Sequence, residues 1–149
     1  MTNTGLPPER VLNNAFKERG RENVVKIDVL PVHDGELLKV VFEEQKSPWR
    51  QGVFLKTDTF VVVNKQQCPS VQVWQDSAPE NVLIECHTKD GILHLYNVWD
   101  RGKGRESQLW SSGMIVEELP DGRRYRCNDI GFNTNFDKLV FRVERTSKK

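Results

Sequence analysis

The sequence predicts a mostly β protein, an antiparallel β-sandwich of jelly-roll-like type or a flattened barrel of about ten short strands, with one amphipathic helix at its start. Three observations predict it. From residue 20 onward the chain repeats short runs rich in Val, Ile, Leu and Phe. Between runs stand His33-Asp34-Gly35, Lys89-Asp90-Gly91 and Pro120-Asp121-Gly122, each with a glycine able to take the positive φ that a strand reversal needs. No alternation of strands with helices and no dinucleotide fingerprint appears, which argues against a parallel α/β sheet.

The helix is expected over 7–19. Pro7-Pro8-Glu9 set its start, Val11, Leu12, Ala15 and Phe16 make one apolar face, and Gly20 stops it. Strands are expected over 24–30, 36–44, 52–56, 58–64, 70–75, 81–88, 91–99, 113–119, 123–128 and 138–145. All belong to a single domain over 1–149, with flexible ends at 1–6 and 146–149. A chain of 149 residues buries most of the surface its unfolded form exposes, so no disulfide staple is needed.

Lys+Arg 22 against Asp+Glu 21 leaves a formal charge of +1, so no global field draws the chain toward anionic lipid or nucleic acid. The basic residues near 101–105, 123–126 and 145–149 are balanced by acids, and no nucleic-acid partner is expected. Cys68, Cys86 and Cys127 are an odd count without CxxC spacing and read as reduced, buried thiols. With no leader-like start and no apolar run near the roughly 20 residues that span a bilayer, a cytoplasmic location without membrane contact is expected.

Register assigns faces to the candidate site residues. A two-residue turn at Asp90-Gly91 would pair the flanking strands, placing His87 opposite His94 with Glu85 one step along, a candidate metal set. The same count puts Asn97 and Trp99 at the far end of the inward face. A three-residue turn at Pro120-Asp121-Gly122 would set Glu118 opposite Arg124, Val116 opposite Arg126 and Ile115 opposite Cys127. Arg124, Arg126 and Asn128 would then share one face, as cross-strand ion pairs or as a cradle for a polar ligand.

The loop over 100–108, carrying Arg101 and bordered by Trp99 and Trp110, contains Gly102-Lys103-Gly104 but lacks the Walker pattern and a following helix. Asn133, Asn135 and Asp137 read as Asx turns, because Lys138 occupies the glycine position of a calcium loop and its bidentate glutamate is missing. Phe132 and Phe136 are assigned to the core. Neither GxSxG nor HExxH occurs, and the adjacent acids Glu43-Glu44 and Glu117-Glu118 point to opposite strand faces. No cofactor is implied.

The function these residues suggest is a non-catalytic binding module for a carbohydrate or other polar small ligand, using Asn97, Trp99, Arg101, Trp110, Arg124, Arg126 and Asn128. Two alternatives stand beside it. One is a protein-interaction domain, such as an adaptor or an inhibitor of immunity type; the other is a metal-dependent β-barrel enzyme built on His87, His94 and Glu85.

Overall fold

Apolar side chains at alternate positions turn one face of each strand inward, and the strands then satisfy their backbone groups by closing on one another. The structure, a computed structural model, describes residues 5–146. In chain order its elements are β1 (Val11–Leu12), α1 (Asn14–Lys17), β2 (Val24–Pro31), β3 (Glu36–Gln45), β4 (Arg50–Val63), β5 (Gln66–Trp74), β6 (Val82–His87), β7 (Ile92–Asp100), β8 (Arg105–Glu106), β9 (Gly113–Leu119), β10 (Gly122–Asn128) and β11 (Leu139–Arg145). Eight of these pair antiparallel in a closed ring, β2–β9–β10–β11–β3–β6–β4–β7 and back to β2. The remaining three, β1, β5 and β8, extend β2, β4 and β7. Inside lie Leu38 and Val40, Val53 and Leu55, Ile84 and Cys86, Leu93 and Leu95, Tyr125 and Cys127, and Phe141 and Val143. Of the expected flexible ends, 1–4 and 147–149 fall outside the described residues.

The expected helix over 7–19 is replaced by a two-residue strand and a single helical turn. Val11 and Leu12 pair with Ile27 and Val25 of β2. Asn13 divides the two structures: its backbone N–H donates to the Val24 carbonyl, while its side-chain oxygen accepts from the Phe16 N–H at 3.1 Å and caps α1. Only Phe16 of the supposed apolar face enters a core, where it meets Phe132 at 5.0 Å and Phe136 at 5.3 Å.

Asp90-Gly91 does not close a hairpin. No β6–β7 ladder forms; Lys56 and Val29 lie opposite His94, whereas Phe60 lies opposite His87. Because β5 occupies one edge of β4 along both of its halves, β6 and β7 must share the other edge, as one run broken by a corner at 88–91. The β2–β3 run follows it, pairing with β7 and then β6. Asp58, on the bend of β4, fixes the corner: its carboxylate accepts from Lys89 N at 2.9 Å, Asp90 N at 3.1 Å and the Thr88 hydroxyl at 3.0 Å. A long-range carboxylate thus converts a local turn signal into a fold line.

At the second hairpin Leu119 pairs with Gly122, so the turn has two residues instead of three and the register moves by one. Glu117, not Glu118, lies opposite Arg124, and Met114, not Ile115, lies opposite Cys127. Gly122 belongs to the strand. A Cβ there would stand 1.9 Å from the Val143 carbonyl oxygen, so only glycine lets β10 start this close to β11.

Candidate functional site

The seven residues expected to hold a ligand are dispersed. Asn97, Trp99 and Asn128 are buried at one end of the ring. Asn97 Nδ2 donates to the Asn128 carbonyl at 2.9 Å, and Asn128 Nδ2 donates to the carbonyls of Ser111 and Gly131 at 2.6 and 2.8 Å. Beside them Asp129 accepts from Gln51 Nε2 at 2.9 Å and from the Ser47 hydroxyl at 2.6 Å. These contacts tie β4, β7 and β10 to one another and to the loops holding Ser47, Ser111 and Gly131. Arg101 is exposed, doubly bonded to Glu106 and placed 5.5 Å from the Trp49 ring.

Arg124 and Arg126 stand on the outer face of the β9–β10–β11–β3 sheet. Arg124 donates to Glu43 at 2.8 Å and to Glu117 at 3.2 Å, Arg126 donates to Glu117 at 2.8 Å, and Arg142 bridges Glu43 and Glu144. This is a cross-strand charge ladder over four strands. Hydrogen bonds from Arg124 to Glu43, from Arg126 to Glu117 and from Arg142 to Glu144 hold all three carboxyls below the 4.5 of an unperturbed glutamate. A lowered folded-state pKa gives stability that is present above the unfolded value and lost as pH falls through the folded one. Glu43→Gln is therefore expected to flatten the decline of stability below about pH 4.5, read from thermal unfolding down to about pH 3; an unchanged acid limb would refute the linkage.

The candidate metal set is separated. His87 contacts Glu85 through Nε2, stacks on Phe60 at 4.5 Å, and has Asp34 at 3.5 Å from Nδ1. His94 is buried elsewhere, with Nε2–H donating to the Pro7 carbonyl at 2.6 Å. Among the described residues no group of three His, Cys, Asp or Glu side chains is placed to hold a metal ion.

A buried charge cluster fills the opening where β2 and β9, paired only at Val24 and Val25, part from each other. Asp28 accepts from Arg10 Nε at 2.6 Å, Arg123 Nη1 at 2.9 Å and the Tyr125 hydroxyl at 2.6 Å. Burial, with the Asp28 charge behind it, pushes the Tyr125 phenol well above its ordinary value, so it remains a donor. The cluster ties the N-terminal segment, β2 and β10 together. Both Asp28 oxygens are taken by donors of the same cluster, which marks it as architecture.

The thiols divide in the same way. Burial pushes Cys86 up to about 12 and Cys127 well above its ordinary value, while Cys68 on β5 is partly exposed. Titration of the native protein with an aromatic disulfide should release one equivalent from Cys68, and all three cysteines should react after unfolding. Rapid native reaction of a second thiol would contradict this burial.

One surface open to a ligand surrounds Trp110, the single member of the expected set that projects into solvent from an apolar patch. Trp110 is 76% exposed, and Leu12 beside it is 41% exposed. Together with Val11, Ala15, Lys26 and Glu18 they line a groove of about 430 Å³. The backbone beneath is fixed from two sides. Asn13 Nδ2 donates to the carbonyls of Trp110 and Ser112 at 2.8 and 2.7 Å. Lys26 and Gln108 each donate a side-chain hydrogen bond to the other's carbonyl, at 3.3 and 3.1 Å. Gln108, at φ 62°, turns the chain outward just before the indole.

Leu12, Ala15, Lys26 and Glu18 were outside the expected set, because the helical reading assigned Leu12 and Ala15 to a packed face. The asparagine between an apolar pair and Phe16 was the available signal for a break there. Among the described residues the site has no charge cluster, no nucleophile and no pair of acids. It is an apolar surface with an aromatic side chain projecting from a held backbone, suited to receiving apolar side chains. No family model matches the chain, and no curated protein matches it at a significant level.

Proposed function

We propose that this chain is a non-catalytic protein-interaction module whose contact surface is the Trp110–Leu12 groove. The observation that carries the reading is Trp110, 76% exposed on a backbone held by Asn13. An exposed tryptophan offers a large apolar area to a partner, and a backbone already held beneath it loses no main-chain freedom on binding, so the pair of properties suits an interface anchor. The apolar lining supplied by Val11, Leu12 and Ala15 favours a protein partner over a sugar. The free, buried thiols of Cys86 and Cys127 support residence in a reducing, cytoplasmic compartment.

The test uses Trp110→Ala. Immobilised full-length chain should retain a stoichiometric protein partner from an extract of its own cells, and the variant should lose it while unfolding within about 0.5 kcal/mol of the parent. Equal retention by the variant overturns the reading. The carbohydrate reading rests on the same indole, which offers a flat face for a sugar ring. Glycans retained from a protease-treated extract, and lost in the same variant, would decide for it.

A further inference from the structure

We infer that the partner received by the Trp110–Leu12 groove is an acidic segment of a protein: an apolar side chain enters the groove, and carboxylates beside it in the partner's sequence pair with Arg19 and Arg21. This rests on the reading of the groove as a protein contact. Arginine in this chain is ordinarily paired. Apart from Arg105, every other arginine has a carboxylate at ion-pair distance, whereas Arg19 and Arg21 have none among the described residues.

Both guanidinium groups are nevertheless held in place. That of Arg19 lies 3.8 Å from the centre of the Phe132 ring and donates through Nη1 to the Ala15 carbonyl at 2.9 Å. That of Arg21 lies 4.6 Å from the centre of the Phe136 ring and donates through Nη1 to the Thr134 carbonyl at 3.1 Å. Phe132 and Phe136 pack on Phe16 of α1, whose neighbours Asn14 and Ala15 line the groove. One helical turn thus connects the apolar groove to two cations whose other N–H groups have no protein acceptor among the described residues. A guanidinium already resting on a ring loses less freedom when it meets a carboxylate.

Charge selects the occupant. Between residues 14 and 26 stand Lys17, Arg19, Arg21 and Lys26 against Glu18 and Glu22, an excess larger than the +1 of the whole chain. The two arginines stand over different rings, so they suit carboxylates spaced along a chain rather than one small anion. Glu18, the acid in the groove lining, opposes such a partner. Charges on a rim act chiefly on association rate and its salt dependence.

Random peptides displayed on phage and selected on the immobilised full chain supply the probe. The selected sequences are expected to place Asp or Glu beside a large apolar residue, and their synthetic forms to lose binding on Trp110→Ala. Arg19→Glu, at an exposed position, should weaken them by about tenfold, and Glu18→Gln should strengthen them by about twofold. Arg19→Gln with Arg21→Gln should flatten the fall of the association rate with added salt. Selected peptides that need Trp110 but are neutral or basic, or acidic ones indifferent to Arg19→Glu and to the double variant, overturn the inference and leave the groove standing. Peptides indifferent to Trp110→Ala remove the groove as their site and the inference with it. A library that yields no binder overturns the inference, and the extract experiment then decides on the groove alone.

Discussion

Replacing Asp28 by alanine is expected to lower the unfolding free energy by about 3–5 kcal/mol, the range found when one member of a buried ion pair is removed. The carboxylate has no solvent exposure, and three donors converge on it: Arg10, Arg123 and the Tyr125 hydroxyl. Alanine would leave the Tyr125 hydroxyl without its acceptor in a region it cannot leave, since the ring is fully buried and stacked on Phe141 at 5.0 Å. Arg123 would keep only the Val29 carbonyl and the exposed Glu118 carboxylate. Because Arg10 helps to anchor the N-terminal segment on β2, that segment should loosen as well, and hydrogen exchange at residues 9–12 should rise with the loss of stability. Denaturant unfolding with an unchanged slope measures the effect. A cost under about 1 kcal/mol would mean that the cluster does not hold β2 to β10.

Trp99→Ala should be almost as damaging, at about 3–5 kcal/mol, whereas Trp110→Ala should cost about 0.5 kcal/mol or less. Both tryptophans border the same loop and were equally eligible as ligand residues from their positions in the chain. Trp99 is fully buried, opposite Gln51 of β4 and Glu106 of β8, and its removal leaves a cavity at the end of the ring. Trp110 projects into water over Leu12, and its removal takes away contact area that the folded chain does not use. The pair therefore forms an internal control: a Trp99→Ala protein that unfolds like the parent, or a Trp110→Ala protein that does not, would reverse the assignment of core and surface.

Strand identity was readable because alternation is a local property. The expectation over 113–119 coincides with β9, that over 81–88 brackets β6, and that over 138–145 nearly matches β11. Pairing was not readable in the same way. Asp90-Gly91 has the composition of a hairpin turn, yet Asp58, remote in sequence, takes up the N–H groups of Lys89 and Asp90 and makes a corner instead. Gly122 looked like the third residue of a turn, and only the carbonyl of Val143 in the neighbouring strand shows why a side chain is excluded there. At the N-terminus, Val11 and Leu12 satisfy a helical period and a strand equally well, and β2 decided between them.

The candidate site divides along the same line. Residue type singled out the indoles, amides and guanidinium groups of the later strands and loops, but type carries no information about depth. Asn97 and Asn128 hold loops to the ring, Arg124 and Arg126 complete a charge ladder, and Trp110 alone of the tryptophans stands largely in solvent. The sequence by itself determined that the chain is mostly β, where most strands run, and that no familiar catalytic motif is present. The tertiary structure decided the closed ring, the corner at 88–91, the register of the second hairpin and the exposure of Trp110. Each of those depends on a contact between segments far apart in the chain, and one residue of register moves a side chain from one face of a strand to the other.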